Sequence, residues 1–515
     1  MTTVLNNHLL GKASLLGANT IVCNENKSSD SHVGIEITIS EKYRIAGTWE
    51  TYRYNRNIID KLYQRYRTKF RINKIDIYKA IPKLIYWTNY KIGYLNACIQ
   101  NEYKNDEILY MPDYLSKNKL KETIKYLRHF LQNNLKWLVS QSKIKKIEKL
   151  NGKIGLWVND EFEVSIFEYL IKTIPEHELV LFHFGNIDFE KYTFITSKII
   201  KINIGEIEKL SPQAFINPLF VSSEELAVLN IISKDWHAIS SEIEQYKFIK
   251  MTEIKAIVIN VGENLAVKNL MLDVFGDSIK VINTMNGNKA GEAHDADINF
   301  TTWCMWDDEM KKLMIEKCCI PEKKLYITGH LMEDHVREYM DMNTLSIDKE
   351  ILKDKKVISV FSVRGNREEK KEALRYLYEL IEKDQSYFIL LRPHPSEKRD
   401  DYILPGFKTE NFQIVDYNWG NSKQTLYDQI NLSDIGIVFG STVALECKWM
   451  GVPSITFEKK DTSDIYCVDG TYIKHIKTLV ALKEELKAVQ KKKVRNKKES
   501  DYSVASKIVD LINQD

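Results

Sequence analysis

The 515-residue chain has few of the residues that make tethers and staples: 10 prolines, 21 glycines and 7 cysteines. So little proline and glycine leaves no flexible linker of the kind that separates independent modules. The cysteines, Cys23, Cys98, Cys304, Cys318, Cys319, Cys447 and Cys467, form no Cys-x-x-Cys pair. That argues against a zinc ribbon or a disulfide framework and for reduced thiols in a cytosol-like compartment. Neither charge sign dominates, because 74 Lys plus Arg against 71 Asp plus Glu leave a formal net charge of +3. A uniformly basic nucleic-acid coat is thereby excluded, and 44% hydrophobic residues exclude a disordered chain. No apolar run approaches the ~18 residues needed to cross a bilayer, and the first residues, Met1 to Lys12, lack the basic start of a signal peptide. What remains is a soluble globular protein of about two to four domains.

From residue 151 onward, short β-branched runs alternate with amphipathic stretches, the pattern of a parallel sheet with crossover helices. The first series places strands at Lys153–Val158, Glu178–Phe184, Lys198–Asn203, Lys255–Asn260, Ser278–Asn283 and Lys324–Thr328, with a helix at Asp307–Lys317. After a polar stretch at Asn343–Lys356 a second series begins. Its strands are Val357–Val363, Tyr387–Arg392, Phe412–Tyr417, Ile435–Phe439 and Ser454–Phe457, and its helices are Glu368–Lys383, Leu426–Leu432 and Thr442–Met450. The expected fold class is α/β, with two Rossmann-like domains facing a cleft. Residues 1–150, with a helix expected over Lys117–Lys149 and brief strands near Thr20–Cys23 and Gly34–Ile39, read as a helix-rich elaboration of the first domain. The divisions expected are 1–150, 151–345, 346–500 and a closing helix in 501–515 whose apolar face is Val504, Ile508, Val509, Leu511 and Ile512.

The strongest chemical signal is an apolar strand that ends abruptly in Arg392-Pro-His394-Pro395. Ligands of open α/β sheets bind at the carboxyl ends of strands, and the two prolines restrict the backbone on either side of the imidazole. A second signal is Gly440-Ser441-Thr442 between a strand and a helix, where unsatisfied amides and two hydroxyls suit an anion. Glu446 lies one turn along, on the Thr442 face, where a carboxylate can accept from ribose hydroxyls. A third is Ser362-Val-Arg364-Gly365 after the first strand of the second series, with Arg364 available to a phosphate and Gly365 permitting close backbone approach. Together with Arg392 and His394, these residues converge on one anionic ligand.

With these motifs, residues 355–460 resemble the donor-binding half of GT-B glycosyltransferases that build bacterial surface glycans. The polysialyltransferase, Kdo-transferase and CDP-glycerol polymerase group is the most similar. The resemblance implies that Arg364, Gly365, Arg392, His394, Gly440, Ser441, Thr442 and Glu446 hold a nucleotide-activated sugar as substrate, CMP- or CDP-linked ahead of UDP-linked. Residues 151–345 then form the acceptor side and 346–500 the donor side. No cofactor and no metal is implied, and Asp295-Ala-Asp297 has metal-motif spacing in an acceptor-side setting. The loop Asn286-Gly287-Asn-Lys289 resembles a stretch where such enzymes carry His-Gly, so Asn286 departs from the pattern and no base is carried over from it. Deprotonation of the acceptor then falls to Asp160, Glu161 or His294, with His394 meeting the leaving phosphate.

His330 and His335 are spaced wrongly to share a helical face, so a surface helix is expected rather than a zinc site. The basic and aromatic stretch 44–74 suits RNA, an anionic glycan or lipid headgroup, or a solvated helix with its tyrosines in the core. The run Lys491–Lys498 is a solvated charge run that would also suit an anionic inner leaflet. The partners expected are a nucleotide-sugar donor, a glycan or lipid-linked acceptor, and a peripheral membrane reached through the basic stretches, with nucleic acid not expected. The location expected is the cytoplasm, at the inner face of the membrane. Alternatives are a UDP-GlcNAc 2-epimerase-like enzyme and a non-catalytic binder of acidic polymers or RNA.

Overall fold

The computed structural model describes residues 20–24, 34–38, 49–81, 84, 119–139, 149–207, 210–260, 268–285, 300–342, 352, 354–362, 368–394, 397, 402, 410–415, 422–439, 441–457, 472–489 and 503–514. Two short antiparallel hairpins come first in the chain, β1 (Thr20–Asn24) with β2 (Gly34–Thr38) and β3 (Arg71–Ile72) with β4 (Ile75–Asp76).

The β-branched runs then build two all-parallel sheets. The first holds β5 (Ile154–Val158), β6 (Leu179–His183), β7 (Ile200–Asn203), β8 (Ala256–Ile259), β9 (Lys280–Asn283), β10 (Thr302–Met305) and β11 (Leu325–Ile327), in the order β11-β10-β9-β8-β5-β6-β7. The second holds β12 (Lys356–Phe361), β13 (Tyr387–Arg392), β14 (Phe412–Ile414), β15 (Ile435–Val438), β16 (Ser454–Phe457) and β17 (Ile473–Ile476), in the order β14-β13-β12-β15-β16-β17. Each order is that of a doubly wound Rossmann sheet, which reverses direction at one switch point, β5/β8 in the first and β12/β15 in the second. Two Rossmann-like parallel sheets in one chain is the expected fold class. Strands β5, β8 and β15 are buried at every residue, as strands covered on both faces require. Within β5, a Cβ at Gly155 would stand 2.7 Å from the Phe182 ring, so only glycine lets that ring pack across the strand.

The first sheet is covered by a helix absent from the sequence reading, Ser223–Met251. Its start carries a capping box, in which the Ser222 hydroxyl accepts the Glu225 N–H and the Glu225 carboxylate accepts the Ser222 N–H. Trp236, Ile239, Ile243 and Tyr246 of this helix share one core with Ile58, Ile59 and Leu62 of the helix Trp49–Tyr66, so the N-terminal elaboration is built into the first sheet's core. Of the basic stretch 44–74, Tyr63 and Tyr66 pack against that core, Arg56 pairs with Asp60 at 3.0 Å and Arg65 pairs with Glu225. The expected helix over Lys117–Lys149 is seen as Lys119–Val139. Residues 491–498 lie outside the described residues.

The closing helix is Val504–Asn513, and it packs on the first sheet. Val504, Ala505, Ile508, Leu511 and Ile512 are buried with Leu156, Val158 and Leu181 of β5 and β6, while Val509 is partly buried. Its first amides are held by Asp334, whose carboxylate accepts the Val504 N–H at 3.0 Å and the Ala505 N–H at 2.9 Å. Strands β10 (Thr302–Met305) and β17 (Ile473–Ile476) add to those expected from the sequence.

Candidate active site

In the second sheet the ladder brings three strand ends level. Phe361 of β12 stands opposite Arg392 of β13 on one side and opposite Val438 of β15 on the other. The residues that follow, Ser362, Pro393-His394 and Ser441-Thr442, therefore emerge together at the carboxyl edge, at the β12/β15 switch point.

Side-chain chemistry then fixes this edge. Ser362 donates its N–H to the Arg392 carbonyl at 2.9 Å, and its hydroxyl meets Glu397 at 2.7 Å and Tyr402 at 2.6 Å. Lys370, itself buried, donates to Glu397 Oε1 at 2.5 Å and to the Tyr402 hydroxyl at 3.2 Å. The His394 N–H donates to Glu397 Oε2 at 3.0 Å. Burial alone would raise the Glu397 carboxyl, but the hydrogen bonds from Lys370, Tyr402, Ser362 and the His394 amide hold it below its usual range. His394 is half-buried and Arg392 only 6% exposed. Ser441 is half-buried and its hydroxyl accepts the Val443 N–H at 3.3 Å, while Thr442 is exposed at the cap of the helix Val443–Trp449. Glu446 is 7% exposed and sits near Tyr427, whose hydroxyl is pushed well above its usual range by burial first and by the Glu446 charge second. Arg364, Gly365 and Gly440 lie outside the described residues.

The first sheet carries a second group of polar side chains after β5. Asp160 caps the helix Glu161–Ile166, its carboxylate accepting the Glu163 N–H at 2.9 Å, and Glu161 is ion-paired with Lys191 at 3.1 Å. The carboxyl that the sequence did not single out is Glu163. Its Oε2 accepts the Asn159 N–H at 2.6 Å, and burial raises it to about 7 against the Asn159 hydrogen bonds, with Asp160 raising it further and Lys268 opposing. Lys268, 3% exposed, pairs with Glu242 at 3.1 Å and lies 3.8 Å from the centre of the Trp157 ring. At the ends of β8 and β10, Asn260 Nδ2 and Trp306 Nε1 are buried donors without a hydrogen-bond partner. His294, Asn286, Gly287, Lys289, Asp295 and Asp297 lie outside the described residues. Among the described residues no group of three or more His, Cys, Asp or Glu could hold a metal.

The two sheets meet through the helix Met332–Met342, which follows β11. The histidines expected on a surface helix are buried instead, His330 at 8% and His335 at 6% exposure. The His330 ring meets Trp306 edge-on at 4.6 Å and stacks on Trp449 at 5.6 Å, joining the end of β10 to the second sheet's helix. Burial pushes its pKa down to about 3, so it is neutral. Tyr339 extends the junction by donating to Asp428 at 2.5 Å.

No protein-family model and no curated protein matches the chain. Among solved structures it is similar to the UDP-GlcNAc 2-epimerase from Methanocaldococcus jannaschii, at 14% identity over 70% of this chain and 99% of that one, with a TM-score of 0.44. It is similar to a putative UDP-N-acetylglucosamine 2-epimerase from Listeria monocytogenes, at 14% identity over 65% and 87% of the two chains, with a TM-score of 0.47. It is also similar to the wall teichoic acid polymerase TagF, at 14% identity over 72% and 89%, with a TM-score of 0.38. At these identities the likeness is one of fold alone.

Proposed function

We propose that this chain is a glycosyltransferase that moves a sugar, or a sugar-like polyol phosphate, from a nucleotide-activated donor to a surface-glycan or glycoconjugate acceptor. The observation that carries the reading is the level meeting of β12, β13 and β15, which puts Ser362, His394, Ser441 and Thr442 at one switch point. The half-buried imidazole of His394 and the hydroxyls of Ser441 and Thr442 gathered there suit a nucleotide phosphate. As the acceptor oxygen bonds to the transferred group, the bond to the donor phosphate breaks. The phosphate takes the electron pair and is met by His394 and the hydroxyls, while the acceptor proton passes to a base on the first-sheet side. Asp160, which caps a helix, Glu161, which is ion-paired with Lys191, and His294 are the candidates for that base; Glu163, though its pKa is raised to about 7, is buried and held by Asn159.

Thermal shift against CMP, CDP, UMP, UDP and GDP tests the donor site, since a ligand at ~100 times its Kd adds about 2.7 kcal/mol to the folded state. A shift with one base, weakened in His394→Ala and Ser441→Ala, supports the reading. No shift with any nucleotide, together with salt-sensitive binding of an acidic polymer, would replace it with the binding-module reading. Free sugar released from donor alone would point to epimerase-type chemistry.

A further inference from the structure

The helix Lys119–Val139 has apolar residues on two sides. Its buried side mixes aromatic and polar groups: Tyr126 is fully buried in the core with Leu127 against it, and Glu122 is 2% and Asn133 4% exposed. These groups are satisfied by the neighbouring elements. Asn230 Nδ2 donates to the Glu122 carboxylate at 2.7 Å, Asn133 Nδ2 donates to Gln213 at 2.8 Å and to the Ser233 carbonyl at 2.7 Å, and the Tyr126 hydroxyl accepts the Ile216 N–H at 3.0 Å. The opposite side is aliphatic and open to solvent, with Leu120, Ile124, Leu131, Leu135 and Leu138 between 58% and 70% exposed. Leu219 and Phe220, 74% and 70% exposed, continue the patch at the helix start, where Lys119 Nζ donates to the Leu219 carbonyl at 3.3 Å. Single exposed leucines need no explanation, but a row of them along one helix face does.

Charge decides what covers the row. The helix carries Lys119, Lys121, Lys125, Arg128 and Lys136 against Glu122 alone, and 5 − 1 = +4. At 3.6 residues per turn, Lys121, Lys125, Arg128 and Lys136 flank the aliphatic row along one side. A second copy of the chain would oppose two such basic faces. An apolar row beside a basic column instead matches the interface of an anionic bilayer, where leucines enter the acyl boundary and lysines meet the headgroups. No described helix is long and apolar enough to cross a membrane.

We propose that the face formed by Leu120, Ile124, Leu131, Leu135 and Leu138, with its basic flank, docks the protein on an anionic phospholipid surface. The inference does not depend on the nucleotide site. The test is co-flotation of the full chain with phosphatidylcholine vesicles, with and without phosphatidylglycerol. Wild type should float with the anionic vesicles, and binding should weaken as salt is raised. Leu131→Glu/Leu135→Glu, at exposed positions that leave the fold intact by circular dichroism, should lose binding by about tenfold or more, since each buried CH₂ contributes ~0.8 kcal/mol. Lys121→Glu/Arg128→Glu should abolish the preference for phosphatidylglycerol. Three results would overturn the proposal: no vesicle binding by wild type, binding unchanged in the leucine variant, or a self-associating chain that becomes monomeric in that variant without ever binding vesicles. The last would make a second copy the occupant.

Discussion

His394 and Glu397 hold each other in both directions. The His394 N–H donates to the Glu397 carboxylate at 3.0 Å, and the Glu397 N–H returns to the His394 carbonyl at 2.8 Å. The imidazole is therefore carried on a closed turn whose far end is anchored by Lys370.

Glu397→Gln tests this anchor. The variant keeps an acceptor for the His394 amide but leaves Lys370 without its counter-charge, which should cost about 3 kcal/mol and weaken any nucleotide affinity. Because hydrogen bonding holds the Glu397 pKa below its unfolded value, its stabilisation is present above ~pH 4.3 and is lost as pH falls through the folded value. Urea midpoints of both proteins over acidic pH check it: wild type should converge on the variant, and a constant gap would refute the anchor.

Glu163 should titrate the other way. Its folded pKa of about 7 lies above the ordinary 4.5, so the folded state binds the extra proton and stability falls as pH rises through that window. Glu163→Gln should gain on wild type by on the order of 3 kcal/mol between ~pH 4.5 and ~pH 7. Parallel stability curves for the two proteins would remove the raised carboxyl.

His330 opposes Glu163 over part of the same range. With a folded pKa of about 3 against 6.5, the unfolded state takes up the proton, and stability drops as pH falls below ~6.5. At ~pH 5 the deficit is about 2 kcal/mol. His330→Phe should remove that dependence and leave that of Glu163 unopposed, read as a urea midpoint that falls relative to wild type's as pH rises from ~5 to ~7. An unchanged difference would mean the ring between Trp306 and Trp449 is not held neutral.

Asp334→Ala should loosen the closing helix, since two amides that it now receives would lose their acceptor. A loss of about 1–2 kcal/mol is expected, as for other cap deletions. Limited proteolysis should release the segment around Val504–Asn513 sooner than from wild type, and equal rates would show that apolar packing alone retains it.

The sheets were legible because buried parallel strands are written as unbroken β-branched runs, as in Ile154–Val158 and Ile435–Val438. The motif residues were legible for a related reason: His394 and Ser441 stand where such a run stops. Their supports were not. Glu397 is visible three residues after His394, but nothing local announces that Lys370 and Tyr402 arrive from elsewhere to hold it. Helix Ser223–Met251 went unread because it is apolar on most sides, which blurs the 3.6-residue period. Spacing places His330 and His335 on a surface helix because period alone does not say which elements will cover a face. The same rule misplaces the leucines of Lys119–Val139, where tertiary hydrogen bonds to Glu122 and Asn133 turn polar groups inward.

The route of the chain imposes an order of assembly. Strands β5 and β6 emerge from the ribosome long before Val504–Asn513, yet that segment shields one side of them. During synthesis the first sheet therefore waits, with Leu156, Val158 and Leu181 lacking their last neighbour, while the whole second sheet is made. The final stretch acts as a latch thrown after translation of everything it fastens.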